Sequence, residues 1–141
     1  MSKFRLDRVI EVKEKLLDDK RIEMENCLAE INNITNDIVN MDDNINGNYE
    51  KLSITTLSGN DYYVLREYVI YLESKKHELA GQRENLKARA DSLRSELLEI
   101  LKEIKMLEIL KSKTLRTIKK SENKREQKKL DDLALRFDDR R

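Results

Sequence analysis

Two stripes of apolar residues keep an unbroken seven-residue spacing, and nothing else in the sequence restricts its fold as strongly. The first is Ile10, Leu17, Met24, Ile31, Ile38, Ile45 and Leu52, and the second is Leu65, Leu72, Leu79, Leu86, Leu93, Ile100 and Leu107. Seven residues make nearly two α-helical turns, so each stripe occupies one narrow helix face that needs a partner helix with a matching face. If the chain folds back near Ser58 and Gly59, residue i of the first stripe meets residue 117 − i of the second, from Ile10 with Leu107 to Leu52 with Leu65. The stripes predict an all-α fold, a single long antiparallel two-helix coiled coil (an α-hairpin) with these fourteen residues as its core. The expected helices run from about 3 to 54 and from about 61 to 120, the second extending to about 137, with a turn at about 55–60, in one coiled-coil domain of residues 1–141.

A second, poorer seam lies three residues after each member of the first stripe, with a matching seam on the second helix. It reads Lys13, Lys20, Cys27, Ile34 and Met41 on the first helix and Val69, Lys76, Arg83, Ala90, Leu97, Ile104, Lys111 and Ile118 on the second. The 117 − i rule sets Lys13 against Ile104, Lys20 against Leu97, Cys27 against Ala90, Ile34 against Arg83 and Met41 against Lys76. Each layer keeps an apolar half, and the long cationic side chains lay their methylenes along it while carrying their charge to water. Composition agrees with a rod more than with a compact domain: 38% apolar, 40% charged, 5% aromatic, three glycines and no proline.

Turn chemistry is concentrated between Ser53 and Asp61, where β-branched residues weaken the helix and Gly59 is free to take a positive φ. Asn60 is the expected N-cap of the second helix and Ser2 that of the first. Four tyrosines follow the turn, Tyr62, Tyr63, Tyr68 and Tyr71, and the 117 − i rule places Tyr49 beside Tyr68. They either pad the hairpin end or form a docking patch, with Tyr49, Tyr68 and Tyr71 as its members.

Overall charge is balanced, 29 basic residues against 28 acidic, but it is polarised along the chain. Eight acidic residues and one basic lie between Ile22 and Asp61, whereas Lys111 to Lys129 holds nine basic and two acidic. The second helix outruns the first beyond about residue 113, and this overhang ends in Leu130, Leu133, Ala134 and Phe137, a small apolar face at helical spacing that favours a partner. The basic run before it reads either as solvated charge or as an attraction for an anionic surface.

Chemistry of other kinds is hard to assemble. One cysteine, Cys27, can neither close an internal disulfide nor build a thiolate cluster, which points to a reducing cytoplasm, and facing Ala90 it reads as a small buried apolar group. His77 is the only histidine and lies beside Lys75 and Lys76, with no acid or nucleophile to work with. No phosphate-cradling glycine loop, metal-ligand cluster or activated nucleophile is present, so the expectation is a protein that is not an enzyme and carries no cofactor. No apolar run is long enough for a membrane span or a signal-peptide core, so no direct membrane insertion is expected.

The opening Phe4-Arg5-Leu6-Asp7-Arg8-Val9-Ile10-Glu11-Val12-Lys13 and the closing Glu126-Gln127-Lys128-Lys129-Leu130-Asp131-Asp132-Leu133-Ala134 resemble the flagellar type III export family FliJ. The resemblance implies a coiled coil similar to the central stalk of rotary ATP synthases. It also implies partners: the hexameric export ATPase FliI, whose ring it enters and helps to assemble, the export gate protein FlhA, and the export chaperones it escorts, at the cytoplasmic face of the inner membrane. On that reading the ATPase contact falls at the open end, on Phe4, Leu6, Arg8 and Val9 with Arg125, Gln127, Lys128, Leu130 and Asp131, and Tyr49, Tyr68 and Tyr71 serve the gate. Two other classes compete. A nucleic-acid-binding hairpin would use Lys111 to Lys129 on phosphates, although all seven aromatics lie outside that run, which leaves no base-stacking platform and makes nucleic acid an unexpected partner. A structural coiled-coil dimer would make the same layers between two chains.

Overall fold

The computed structural model describes residues 3–54 and 58–139, with the side chains of residues 3, 4, 54 and 139 outside the description. It consists of two helices packed against each other as a hairpin: α1 (Lys3–Ile54) and α2 (Gly59–Asp139). A proline-free sequence lets both run uninterrupted, and Gly47 and Gly81 are absorbed within them.

At the start of α2 the capping differs from the sequence expectation. The Ser58 hydroxyl accepts the Asp61 backbone N–H at 3.2 Å, while the Tyr62 N–H donates to the Ser58 carbonyl at 2.9 Å. Ser58, not Asn60, is therefore the N-cap, and Asn60 lies in the first turn, where Asp61 also complements the positive end of the helix dipole. Gly59 is the first helical residue, and no described glycine has a positive φ, so the turn does not use the freedom that the sequence offered there. Ser2, the expected cap of α1, lies outside the described residues.

Contacts divide the chain into two units, Met1–Asp19 with Leu98–Arg141, and Lys20–Leu97. In the first, Leu6, Ile10 and Leu17 of α1 and Ile100 and Ile104 of α2 are buried. The antiparallel sense follows from its ion pairs, Asp7 with Lys111 and Lys13 with Glu103, since one number rises as the other falls. In the second, Cys27, Ala90 and Leu93 make a cluster on which Met24, Ile31 and Leu86 pack, and Ile45, Val69 and Leu72 make another. The Cys27 thiol donates to the Leu86 carbonyl at 3.2 Å, which satisfies its weak donor inside the cluster.

All fourteen stripe residues are buried or half-buried, and the second seam behaves similarly as far as Lys111. Its lysines find acids at a constant offset. Lys13, in the layer of Ile104, pairs with Glu103; Lys20, in the layer of Leu97, pairs with Glu96 at 3.0 Å; Lys76, in the layer of Met41, pairs with Asp42; and Lys111, in the layer of Leu6, pairs with Asp7 at 2.6 Å. Buried oxygens of Glu96 and Glu103 meet the ammonium groups as ion pairs rather than as well-aligned hydrogen bonds. Arg83 is the exception: Thr35 stands where the others have an acid, and its Nε is buried without a hydrogen-bond partner. Ile118 also departs from the seam pattern, being 42% exposed, because it lies beyond the stretch of α2 that α1 flanks in this unit.

Candidate functional sites

The unit that contains the chain ends holds the first group of residues singled out by the sequence. Leu6 is fully buried, Val9 is half-buried and Arg8 is exposed, so α1 offers the surface a cation over an anchored apolar base. Burial takes the Leu6 side chain out of reach of a partner and makes it a support for its neighbours. The side chain of Phe4 lies outside the description. Beside Leu6, Asp7 accepts from Lys111, and this hydrogen bond together with the carboxylate charge raises the lysine pKa from its ordinary value of 10.5.

The second group stands well apart from the first. Lys111 is beside Asp7, whereas Arg125 is 14 residues further along α2, about 20 Å at 1.5 Å per residue. Arg8 and Val9 therefore do not merge with Arg125, Gln127, Lys128, Leu130 and Asp131 into one patch. The overhang is helical to Asp139, and its residues 115–138 are all exposed. Gln127 donates to Asp131 at 3.1 Å across one helical turn. Leu130, Leu133 and Phe137 are 60%, 50% and 72% exposed, which is an unusual way to leave three large apolar residues on one helix face.

In the other unit, Tyr49, Tyr68 and Tyr71 are all about half exposed. Their roles differ. The Tyr49 hydroxyl donates to the Glu73 carboxylate across the hairpin at 2.7 Å, and that bond raises its pKa above the ordinary 10.0. Tyr71 borders a groove of about 450 Å3 whose other walls include Asp37, Asn40, Asn44 and Gln82, over Met41 and Leu79. The sequence reading missed this groove, although Asn40 and Asn44 recur at helical spacing beside the seam and, as poor helix formers, sit there at some cost to the helix.

It also missed an apolar group at positions i, i+3, i+4 of α2. Met106, Ile109 and Leu110 are 69%, 50% and 42% exposed and lie off the heptad stripe.

Among the described residues no group of three or more His, Cys, Asp or Glu side chains could hold a metal ion, and no helix is long and apolar enough to cross a membrane. What the two helices supply is surface: ion-paired seams, a tyrosine-edged groove and exposed apolar positions on α2. These define a two-helix coiled-coil hairpin. The chain belongs to the FliJ family, since the family model described as Flagellar FliJ protein matches residues 2–140. The family is a non-catalytic component of the flagellar type III export apparatus. No curated protein and no solved structure matches the chain.

Proposed function

We propose that this chain is a non-enzymatic stalk or adaptor that binds the hexameric export ATPase FliI, promotes assembly of its ring, couples it to the export gate protein FlhA and escorts export chaperones, at the cytoplasmic face of the inner membrane. The observation that carries this reading is the α2 extension, helical to Asp139, with Leu130, Leu133 and Phe137 exposed. Such a face gains most from burial against another protein, at about 25 cal/mol per Å2 of apolar area removed from water. The ATPase contact has two parts. Arg8 and Val9, supported by Leu6 and followed in the family motif by the apolar stripe, make one with Phe4, and Arg125, Gln127, Lys128, Leu130 and Asp131 make the other. The nine basic residues between Lys111 and Lys129 speed encounter with an acidic surface and make it salt-dependent, while the apolar face sets the lifetime of the complex. Tyr49, Tyr68 and Tyr71 serve the gate.

Deletion of residues 122–141 tests the assignment, because every described side chain it removes is exposed. The shortened chain should keep its melting behaviour and lose stimulation of the co-purified export ATPase. Full stimulation by the shortened chain overturns the proposal, and loss of RNA binding in its place would favour the nucleic-acid reading.

A further inference from the structure

We infer that the outward face of α2 between Lys102 and Arg116 is a docking site for an acidic amphipathic helix, apart from the two-part contact proposed above, with which it shares only Lys113 and Arg116 of the basic run. Met106, Ile109, Leu110 and Lys113 line a groove of about 400 Å3 whose floor is Leu107, a residue of the heptad stripe. The groove thus opens from solvent down to the seam, and a concave apolar channel along a helix accepts the ridge of side chains that another helix presents. Three exposed large apolar residues at i, i+3 and i+4 lie outside the hairpin core, to which this segment gives the buried Ile104 and the half-buried Leu107.

Charge selects the occupant. Lys102 and Lys105 precede the apolar group and Lys113 and Arg116 follow it, along or beside the line of Met106 and Ile109, and among the described residues all but Lys102 are without an acid in ion-pair reach. Lys102 meets Glu99 only loosely, at 3.9 Å between two largely exposed side chains. By contrast, the seam lysines of the same unit, Lys13 and Lys111, are each closed on a carboxylate. Of the other nearby acids, Glu103 holds Lys13, and Glu108, one turn from both Lys105 and Lys111, helps to raise the pKa of Lys111 and makes no ion pair with Lys105 among the described residues. An apolar channel framed by unpaired cations fits a helix with aliphatic residues on one face and carboxylates on its flanks, which would supply the charge this face lacks. A flat anionic lipid surface would match the charge but leave the concave floor unfilled.

The test uses the full chain and two synthetic helical peptides, one with a leucine face flanked by glutamates and one identical except for lysines in place of the glutamates, followed by titration calorimetry. The glutamate peptide should bind with an affinity that falls as salt rises, and the lysine peptide should bind at least about tenfold more weakly. Ile109→Ser with Leu110→Ser should abolish binding without changing helix content, and Lys105→Glu with Lys113→Glu should reverse the preference between the peptides. Equal binding of both peptides, binding of neither, or unchanged binding by the serine variant would each overturn the inference. So would a chain that sediments with phosphatidylglycerol vesicles and ignores both peptides.

Discussion

Lys76 shares a layer with Met41, yet its ammonium closes on Asp42, the next residue along α1. The same one-residue offset brings Lys13 to Glu103, Lys20 to Glu96 and Lys111 to Asp7. Each pair is partly exposed and screened by solvent, so individually it adds little to stability. Their collective value lies in register. The two heptad stripes still match in six layers after a slip of seven, but a slip one way loses three of the four offsets and sets Lys20 near Arg89, and a slip the other way loses two and sets Lys13 against Lys111. Native Cys27 reports the register directly, since it clusters with Ala90. Under mild oxidation Ala90→Cys should form an intramolecular disulfide with Cys27, whereas Arg83→Cys and Leu97→Cys, its partners after slips of seven, should not. Adding Glu96→Lys and Glu103→Lys to the Ala90→Cys chain should lower the yield, and an unchanged yield would show that the apolar stripes set the register unaided.

Leu93 is 1% exposed and packs with Cys27 and Ala90, so Leu93→Ala should cost about 2 to 5 kcal/mol. Leu86→Asp, which places a carboxylate against Met24 and Ile31 in the same cluster, should be comparably damaging. Glu84 is exposed and, among the described residues, pairs only with Lys87 at 3.5 Å, so Glu84→Ala should stay within about 0.5 kcal/mol of wild type. Thermal melts followed by circular dichroism separate these cases. Equal melting temperatures for Leu86→Asp and Glu84→Ala would mean that the cluster does not hold the helices together.

The hairpin was legible because burial in a two-stranded coil repeats with the period of the sequence. Ile10, Leu72 and Leu93 could be paired by arithmetic alone, and so could Cys27 with Ala90. Interactions set by lateral reach were not legible in that way. Tyr49 bonds to Glu73, not to a residue of its own layer, and the length and flexibility of the side chains decide that choice. Ser58 and Asn60 are both good caps on composition, and only backbone geometry selects Ser58, although the Ser-x-x-Asp spacing from Ser58 to Asp61 was a usable signal. The two clusters of family residues read as one site because both lie toward the chain ends. A continuous helix adds about 1.5 Å per residue, which keeps Arg125 away from Arg8.

Alkaline titration should loosen both units. Lys111 and Tyr49 have pKa values raised above their ordinary 10.5 and 10.0, each first through its hydrogen bond to a carboxylate, Asp7 and Glu73. A group whose folded pKa is raised contributes stability that is fully present below its unfolded pKa and is lost as pH rises through the folded value. Near neutral pH both contributions are therefore intact, and they disappear above about pH 10. Between about pH 9 and about pH 11.5 the melting temperature of wild type should fall more than that of Tyr49→Phe or Asp7→Asn, because each variant has already lost one of the two contributions. An equal fall in all three chains would show that neither bond survives in solution.

The same Tyr49 hydrogen bond separates two roles that the tyrosines could play. Tyr49 is held by Glu73, so its ring is ordered before any partner arrives, and an ordered aromatic loses little freedom on binding. Tyr71 edges the groove lined by Asn40, Asn44 and Gln82, where a partner would meet carboxamides over the apolar floor of Met41 and Leu79. Tyr68, with 46% of its surface exposed, supplies the remaining ring. If these residues dock the export gate, Tyr71→Ala should weaken gate binding by more than 1 kcal/mol, about the threshold that marks an interface anchor. Tyr49→Phe, which keeps the ring and frees Glu73, should weaken it less than Tyr49→Ala does. The triple alanine variant at Tyr49, Tyr68 and Tyr71 should abolish gate binding and motility while helix content stays at the wild-type level. Retained motility and gate binding in that variant would leave the three rings as cover for the hairpin end, with Tyr49 and Glu73 simply holding α1 to α2.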